Sequence, residues 1–83
     1  DFNISTVSIY PNPASNTLNI KSSNNSLIKN ISIYDLKGSI ALTKNISGLT
    51  ETNISINSLQ SGIYMVKVTS TKGLSIIKKL IVN

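Results

Sequence analysis

Few side chains in this sequence could do acid–base or nucleophilic chemistry. The 83 residues include three acids, Asp1, Asp35 and Glu51, and contain no histidine and no cysteine. This inventory excludes a catalytic dyad built on histidine or cysteine, a zinc site with cysteine and histidine ligands, and a disulfide framework. Asp35 and Glu51 could act as a carboxylate pair only if the fold brought them together, with little else present to tune them. The composition therefore argues against an independent enzyme and against a bound cofactor.

The same two acids could instead supply hard oxygen ligands for a calcium ion, together with asparagine or serine oxygens. The sequence has no Asp-x-Asp-x-Asp-Gly loop, so Asp35 and Glu51 are better interpreted as solvated turn residues. The serines have no histidine to activate them as nucleophiles. We therefore expect no metal site and no catalytic residue.

All eight basic residues are lysines, and the formal net charge is +5. A basic chain can bind nucleic acid or an anionic surface. Here the lysines are scattered, except for the adjacent pair Lys78 and Lys79, and there is no arginine to make bidentate contacts to bases. Four aromatic residues offer little stacking surface. We predict no nucleic-acid partner, and we interpret the scattered lysines as charges that keep edge strands from pairing.

The elements that must position these residues are short strands. Alternating apolar and polar residues recur between turn residues, with a spacing of about ten residues, which is typical of a β-sandwich. The strands are predicted at residues 7–10, 17–21, 30–34, 39–45, 52–57, 63–70 and 74–82. Prolines at 11 and 13 stop the first strand, and Gly38, Gly48 and Gly73 mark later turns. No segment has helical periodicity, so we predict an all-β fold of seven strands in two packed antiparallel sheets.

The alternation also predicts which side chains form the core. One face of each strand is apolar, and these positions are Val7, Ile9, Leu18, Ile20, Ile31, Ile33, Ile40, Leu42, Ile54, Ile56, Tyr64, Val66 and Val68. The last strand differs, because both of its faces carry apolar residues. Such a strand is either covered on both faces, or bulged near the lysine pair, or partly exposed to a partner.

Four sequence motifs occur in a fixed order along the chain. They are Val7-Ser8-Ile9-Tyr10-Pro11-Asn12-Pro13-Ala14, Ile33-Tyr34-Asp35-Leu36-Lys37-Gly38, Leu59-Gln60-Ser61-Gly62-Ile63-Tyr64 and the terminal Lys78-Lys79-Leu80-Ile81-Val82. Together they resemble the C-terminal sorting domain of the type IX (Por) secretion system, type A, over residues 7–83. One departure is Ser39, which stands where that family often has arginine.

The resemblance implies a seven-stranded antiparallel Ig-like β-sandwich, with residues 1–6 as a linker from an upstream cargo domain and residues 7–83 as the sorting domain. In that family the domain directs its cargo through the outer-membrane translocon of a Gram-negative bacterium, to the cell surface or the medium. A sortase-like peptidase at the cell surface then commonly removes it. We accordingly expect a monomeric signal domain with no membrane span, whose partners are the translocon, the peptidase and the N-terminal cargo.

The family's motif residues carry over onto matching positions of this sequence. The motif turns fall on Pro11, Asn12, Pro13, Asp35, Leu36, Gly38, Gly62, Tyr64 and Gly73. The residues that match the family's terminal signal, and to which we assign translocon recognition, are Lys78, Lys79, Leu80, Ile81 and Val82. A two-sided apolar strand with two lysines is also a plausible handle for strand addition.

A carbohydrate-binding or adhesive accessory module is the alternative function. Such modules usually present two or three aromatic side chains on one flat face, and the candidates here are Tyr10, Tyr34 and Tyr64. Each of the three lies within one of the motifs. A structural spacer between catalytic domains is a third class that fits the pattern less well.

Overall fold

The computed structural model describes residues 6–23 and 26–83. In this part of the chain there are seven strands and no helix, so the all-β prediction is confirmed. The strands are β1 Val7–Tyr10, β2 Thr17–Ser22, β3 Ile28–Tyr34, β4 Ile40–Leu49, β5 Glu51–Ser55, β6 Gly62–Ser70 and β7 Ser75–Val82. A helix long and apolar enough to cross a membrane is not found among the described residues.

Two antiparallel sheets form the sandwich. Sheet A has the strand order β1-β2-β5, and sheet B has the order β4-β3-β6-β7. Three hairpins join neighbours within a sheet, and the chain crosses between the sheets after β2, β4 and β5. The edge strands of sheet B are therefore β4 and β7, and the inner pair is β3 and β6.

The core lies between the two sheets and is built from the predicted alternation. The buried apolar residues are Val7, Ala14, Leu18, Ile20, Ile28, Ile31, Ile33, Ile46, Ile54, Ile56, Val66, Val68, Ile76, Leu80 and Val82. Ile9, Leu42 and Tyr64 are partly buried and pack against this cluster. Most of the predicted core is therefore confirmed, and β7 adds three residues to it.

Ile40 is an exception, because it is 59% exposed. The pairing of β3 with β4 shifts register between Ile33, which lies opposite Leu42, and Tyr34, which lies opposite Ile40. An extra residue in one strand reverses the face on which the following side chains lie. The prediction that Ile40 shares the core face with Leu42 is therefore wrong.

The turn predicted at Gly48 is also displaced. Strand β4 continues through Gly48 to Leu49, and only Thr50 separates it from β5. Gly48 has a φ of 70°, which a glycine adopts without strain. The change of sheet is therefore made within one residue of the end of β4.

The β3–β4 and β6–β7 hairpins use the same turn. Gly38 donates its N–H to the Asp35 carbonyl oxygen (3.0 Å), and Gly73 donates to the Ser70 carbonyl oxygen (3.0 Å). An Asp35 carboxylate oxygen accepts two backbone N–H groups, and the Ser70 hydroxyl accepts the two equivalent ones. Gly38 and Gly73 have φ values of 90° and 85°, as a three-residue hairpin loop requires. The predicted hairpin at Asp35 to Gly38 is confirmed.

Tyr64 ties the start of β6 to the preceding loop. Its hydroxyl donates to the carbonyl oxygen of Gln60 at 2.7 Å. A tyrosine at the corresponding corner of immunoglobulin-type sandwiches also bonds to backbone a few residues upstream. Tyr64 therefore fixes the loop in which the chain crosses from sheet A to sheet B. This contact accounts for the place of Tyr64 in the third motif.

Replacing Tyr64 with phenylalanine removes this hydrogen bond and leaves the ring in place. We expect Tyr64→Phe to lower the free energy of unfolding by about 1 kcal/mol. For a domain of this size, that change lowers Tm by about 4–8 °C. Thermal unfolding followed by circular dichroism measures it.

Tyr10→Phe is the matched control, because the Tyr10 hydroxyl is exposed and donates to Glu51 over a longer distance, 3.4 Å. We expect that variant to change stability by less than about 0.5 kcal/mol. Equal losses in the two variants would contradict a special role for the Tyr64 hydroxyl.

Candidate functional site

Strand β7, which contains the predicted recognition residues, is an edge strand with a regular register. It pairs with β6 continuously from Gly62 opposite Val82 to Thr69 opposite Ser75, with no register shift. Of the alternatives open for this strand, a bulge is therefore wrong. Ile77 is 50% exposed and Ile81 is 38% exposed, so the strand is not covered on both faces either.

The alternation of β7 separates the five predicted recognition residues into two groups. Leu80 and Val82 are 0% and 3% exposed and belong to the core. Lys79 and Ile81 are exposed on the outer face, and Lys78 is half-buried. In the folded domain only the lysines and Ile81 can contact a partner, while the other two fix the strand in the sandwich.

The outer face of sheet B around β7 carries apolar side chains interspersed with lysines. Across the strand pairs, Ile81 lies opposite Ile63, and Lys79 lies opposite Met65, which in turn lies opposite Tyr34. A shallow depression of about 470 Å³ is lined here by Tyr34, Asp35, Leu36, Gly38, Met65, Lys67 and Ile77. The second and fourth motifs therefore meet on one face, although they are far apart in the sequence.

The Pro11-Asn12-Pro13 motif lies against the outer edge of β7. The Asn12 side chain donates from Nδ2 to the Lys79 carbonyl oxygen (3.1 Å) and accepts at Oδ1 from the Ile81 N–H (3.0 Å). Ala14 then donates its N–H to the Ile81 carbonyl oxygen and accepts from the Asn83 N–H, both at 2.9 Å. These bonds form a short parallel bridge between Ala14 and Val82.

The side-chain amide of Asn12 replaces a peptide group at this edge. Proline has no N–H, so Pro11 and Pro13 cannot donate to a neighbouring strand. An asparagine between them offers one donor and one acceptor, the same pair that a backbone amide would present. The sequence of residues 11–13 predicts only a turn. An asparagine between two prolines, beside a strand that ends in apolar residues, is the signal that could have indicated the contact.

An open groove of about 450 Å³ runs between β1 and β7. It is lined by Ser8, Ile9, Asn12, Ile77, Lys78 and Lys79. Both strands are edge strands of their sheets, so the groove lies at an open side of the sandwich. Its lining includes two lysines and no acid.

The remaining candidate residues lie apart from one another. Asp35 caps the β3–β4 turn, whereas Glu51 accepts from Tyr10 at the start of β5 in the other sheet. Within residues 6–23 and 26–83, no three metal-ligating side chains cluster. Tyr10 lies in sheet A, Tyr34 lies on the outer face of sheet B, and Tyr64 packs against the core. The three tyrosines therefore do not share a flat face.

Comparisons with known proteins agree with the order of the motifs. Residues 8–83 match the family described as the secretion system C-terminal sorting domain. Beta-agarase D of Zobellia galactanivorans is 31% identical over 75 residues, which are 90% of this chain. The chain spans only 14% of the length of that agarase.

Two solved structures are similar in fold. A DUF3244 family protein from Bacteroides vulgatus with an immunoglobulin-like β-sandwich has a TM-score of 0.73 at 18% identity, over 92% of this chain and 83% of its own. CopC from Methylosinus trichosporium OB3b has a TM-score of 0.55 at 18% identity, over 93% of each chain. The predicted Ig-like sandwich is confirmed.

Removing the Asn12 amide should loosen the outer edge of β7. We expect Asn12→Ala to lower the free energy of unfolding by about 1–2 kcal/mol, because two hydrogen bonds to backbone are lost. Hydrogen exchange of the Ile81 amide should become about tenfold faster. Asn12→Asp keeps the acceptor for the Ile81 N–H. Its free energy of unfolding and its Ile81 exchange rate should therefore lie between those of the original chain and of Asn12→Ala.

Asn16→Ala is the control, since Asn16 is an exposed asparagine of the same segment whose side chain makes no hydrogen bond within the described residues. In the Asn16→Ala variant the Ile81 amide should exchange at the rate of the original chain. If Asn12→Ala also left that rate unchanged, the Asn12 side chain would not be closing the outer edge of β7.

Proposed function

Because the chain belongs to the family of secretion system C-terminal sorting domains, and so is a signal for type IX export, we propose that β7 is the strand the outer-membrane translocon contacts. Domains of this family direct the protein to which they are attached across the outer membrane, to the cell surface or the medium. The matched family is a sorting signal and not a catalytic family, and its fold is an immunoglobulin-like β-sandwich.

The observation that carries this proposal is the division of β7 into a buried and an exposed face. Leu80 and Val82 fill the core, so they hold the strand in register. Lys79 and Ile81 are then displayed at fixed positions on the outer face of sheet B, and the half-buried Lys78 lines the groove beside it. An apolar patch with a charged rim is typical of a protein-binding surface. We propose that the translocon contacts these three side chains directly.

Point substitutions test this proposal better than truncation. Deleting residues 78–83 would remove Leu80 and Val82 from the core, so a loss of export could come from unfolding. We expect the double variant Lys78→Glu, Lys79→Glu to keep its fold, because neither lysine is fully buried. A periplasmic reporter fused to this variant should remain in the periplasm of a host with the type IX system. Reporter activity in the medium and in the periplasm measures export.

The double variant Lys29→Glu, Lys37→Glu is the matched control for charge, because it changes two exposed lysines away from β7 in the same way. Lys37 is an exposed lysine in the β3–β4 turn, which has the geometry of the turn that precedes β7. The control should be exported like the original chain. Normal export of the double variant, with an unchanged melting temperature, would overturn the assignment of the signal to β7.

We further propose that a sortase-like peptidase removes the domain from its cargo before Thr6. Thr6 is 6% exposed, and its carbonyl oxygen accepts from the Ser23 N–H (2.7 Å) and the Ser23 hydroxyl (3.2 Å). These contacts support placing the boundary between linker and domain before Thr6, one residue earlier than the linker 1–6 expected from the sequence. A peptidase needs an extended, accessible segment, so cleavage within the packed part requires local unfolding.

The mass of the released domain tests the cleavage site. We expect the tail recovered from a secreting host to begin at or before Thr6, with Val7 always retained. Intact-mass spectrometry of the culture medium locates the terminus to a single residue. Recovery of tails that begin within β1 or later would contradict the proposal.

A further inference from the structure

We propose that the uncovered edge of β7, residues 75–79, receives an added strand from a partner: an extended protein segment that carries acidic side chains. This inference rests on the proposed function, because it names how a partner on the export path would bind β7. It differs from recognition of side chains alone, since the backbone of β7 itself becomes part of the interface.

The backbone of β7 indicates where such a strand can pair. The Ile81 N–H and carbonyl group both bond to the Pro11–Ala14 segment, so they point away from β6. Backbone groups alternate in direction along a strand, so those of Lys79 and Ile77 point the same way. The Lys79 carbonyl is occupied by Asn12. In the part of the chain that the structure describes, the Lys79 N–H and both backbone groups of Ile77 have no hydrogen-bond partner.

The occupied half of the same edge shows that it can pair with a further strand. Ala14 already pairs with it in parallel, through two backbone bonds of 2.9 Å. Upstream of Asn12 the chain leaves this edge, because Tyr10 pairs with Asn19 in sheet A. An incoming segment would therefore continue the pairing from Lys79 toward Ser75, where the chain's own segment stops.

The groove beside the uncovered edge indicates the charge of that segment. Of its six lining residues, Lys78 and Lys79 are cations and none is an anion. The chain as a whole carries a formal charge of +5. Acidic side chains at alternate positions of an added strand lie on one of its faces, and on the outer face they would pair with Lys79. A second copy of this chain is the wrong partner, because it would bring two lysine pairs together with no acid in either groove.

The test uses a capped synthetic peptide of alternating valine and glutamate residues as the probe. We expect it to shift the backbone amide resonances of Ile77 and Lys79 in the isotopically labelled chain, and to slow their hydrogen exchange. The alternating valine and lysine peptide is the charge control and should not bind. Equal binding of the two peptides, or no shift at millimolar glutamate peptide, would overturn the proposal.

Two substitutions at one position separate strand addition from side-chain docking. Ile77→Pro removes the outward N–H at an edge strand, where proline is tolerated, and should weaken peptide binding about tenfold. Ile77→Thr loses the apolar side chain but keeps the N–H, and should weaken binding less than about threefold. If Ile77→Pro melts early, a synthetic chain with an N-methylated Ile77 amide removes the same N–H and retains the side chain. Equal binding of the proline or N-methyl chain and the original chain would overturn the proposal.

The export assay then distinguishes this inference from the proposed function. If Ile77→Pro blocks export and Ile77→Thr does not, strand addition occurs on the export path. If Ile77→Pro is exported while the Lys78→Glu, Lys79→Glu variant is retained, strand addition is wrong and β7 is still the signal. If both are exported normally, both proposals are wrong.

Discussion

The structure depends on one constraint, which is that β7 fills the core with one face while its other face stays exposed. Its inward positions supply Ile76, Leu80 and Val82 to a small sandwich that cannot spare them. Its outward positions display Ile77, Lys79 and Ile81. A strand satisfies both demands at once because its side chains alternate with a period of two.

The other motifs support this strand. The Gly73 turn and its duplicate at Gly38 set the two hairpins of sheet B, which pair β3 with β4 and β6 with β7. The Tyr64 hydroxyl fixes the crossing that delivers β6, the only hydrogen-bonded neighbour of β7 within its sheet among the described strands. Asn12 closes the opposite edge over its last residues. Motifs that are separated by tens of residues in the sequence thus act on the position of a single strand.

Much of this could be predicted from the sequence, because the predictable parts are local. Alternation in residues 17–21 or 52–57 identifies both the strand and its buried face, and a glycine after Asp35-Leu36-Lys37 identifies the hairpin. Ile40 was assigned to the wrong face because one bulge reverses a strand, and bulges leave no periodic signal. The role of Asn12 was not predictable either, since its partners are more than sixty residues away and are backbone groups. To predict that Leu80 and Val82 are buried, one must know which face of β7 packs against sheet A, and apolar residues on both faces do not indicate it.

The contact between Asn12 and the end of β7 is also one that only the folded domain contains. Its two hydrogen bonds join residues 67 and 69 positions apart in the sequence. Contacts of such long range form only after the intervening chain has been ordered, because loop closure must precede them. The finished edge of β7 therefore exists only when both sheets are docked and the first segment has reached the last strand. A receptor that bound the contact between Asn12 and Ile81 would therefore distinguish the folded domain from an incompletely folded one.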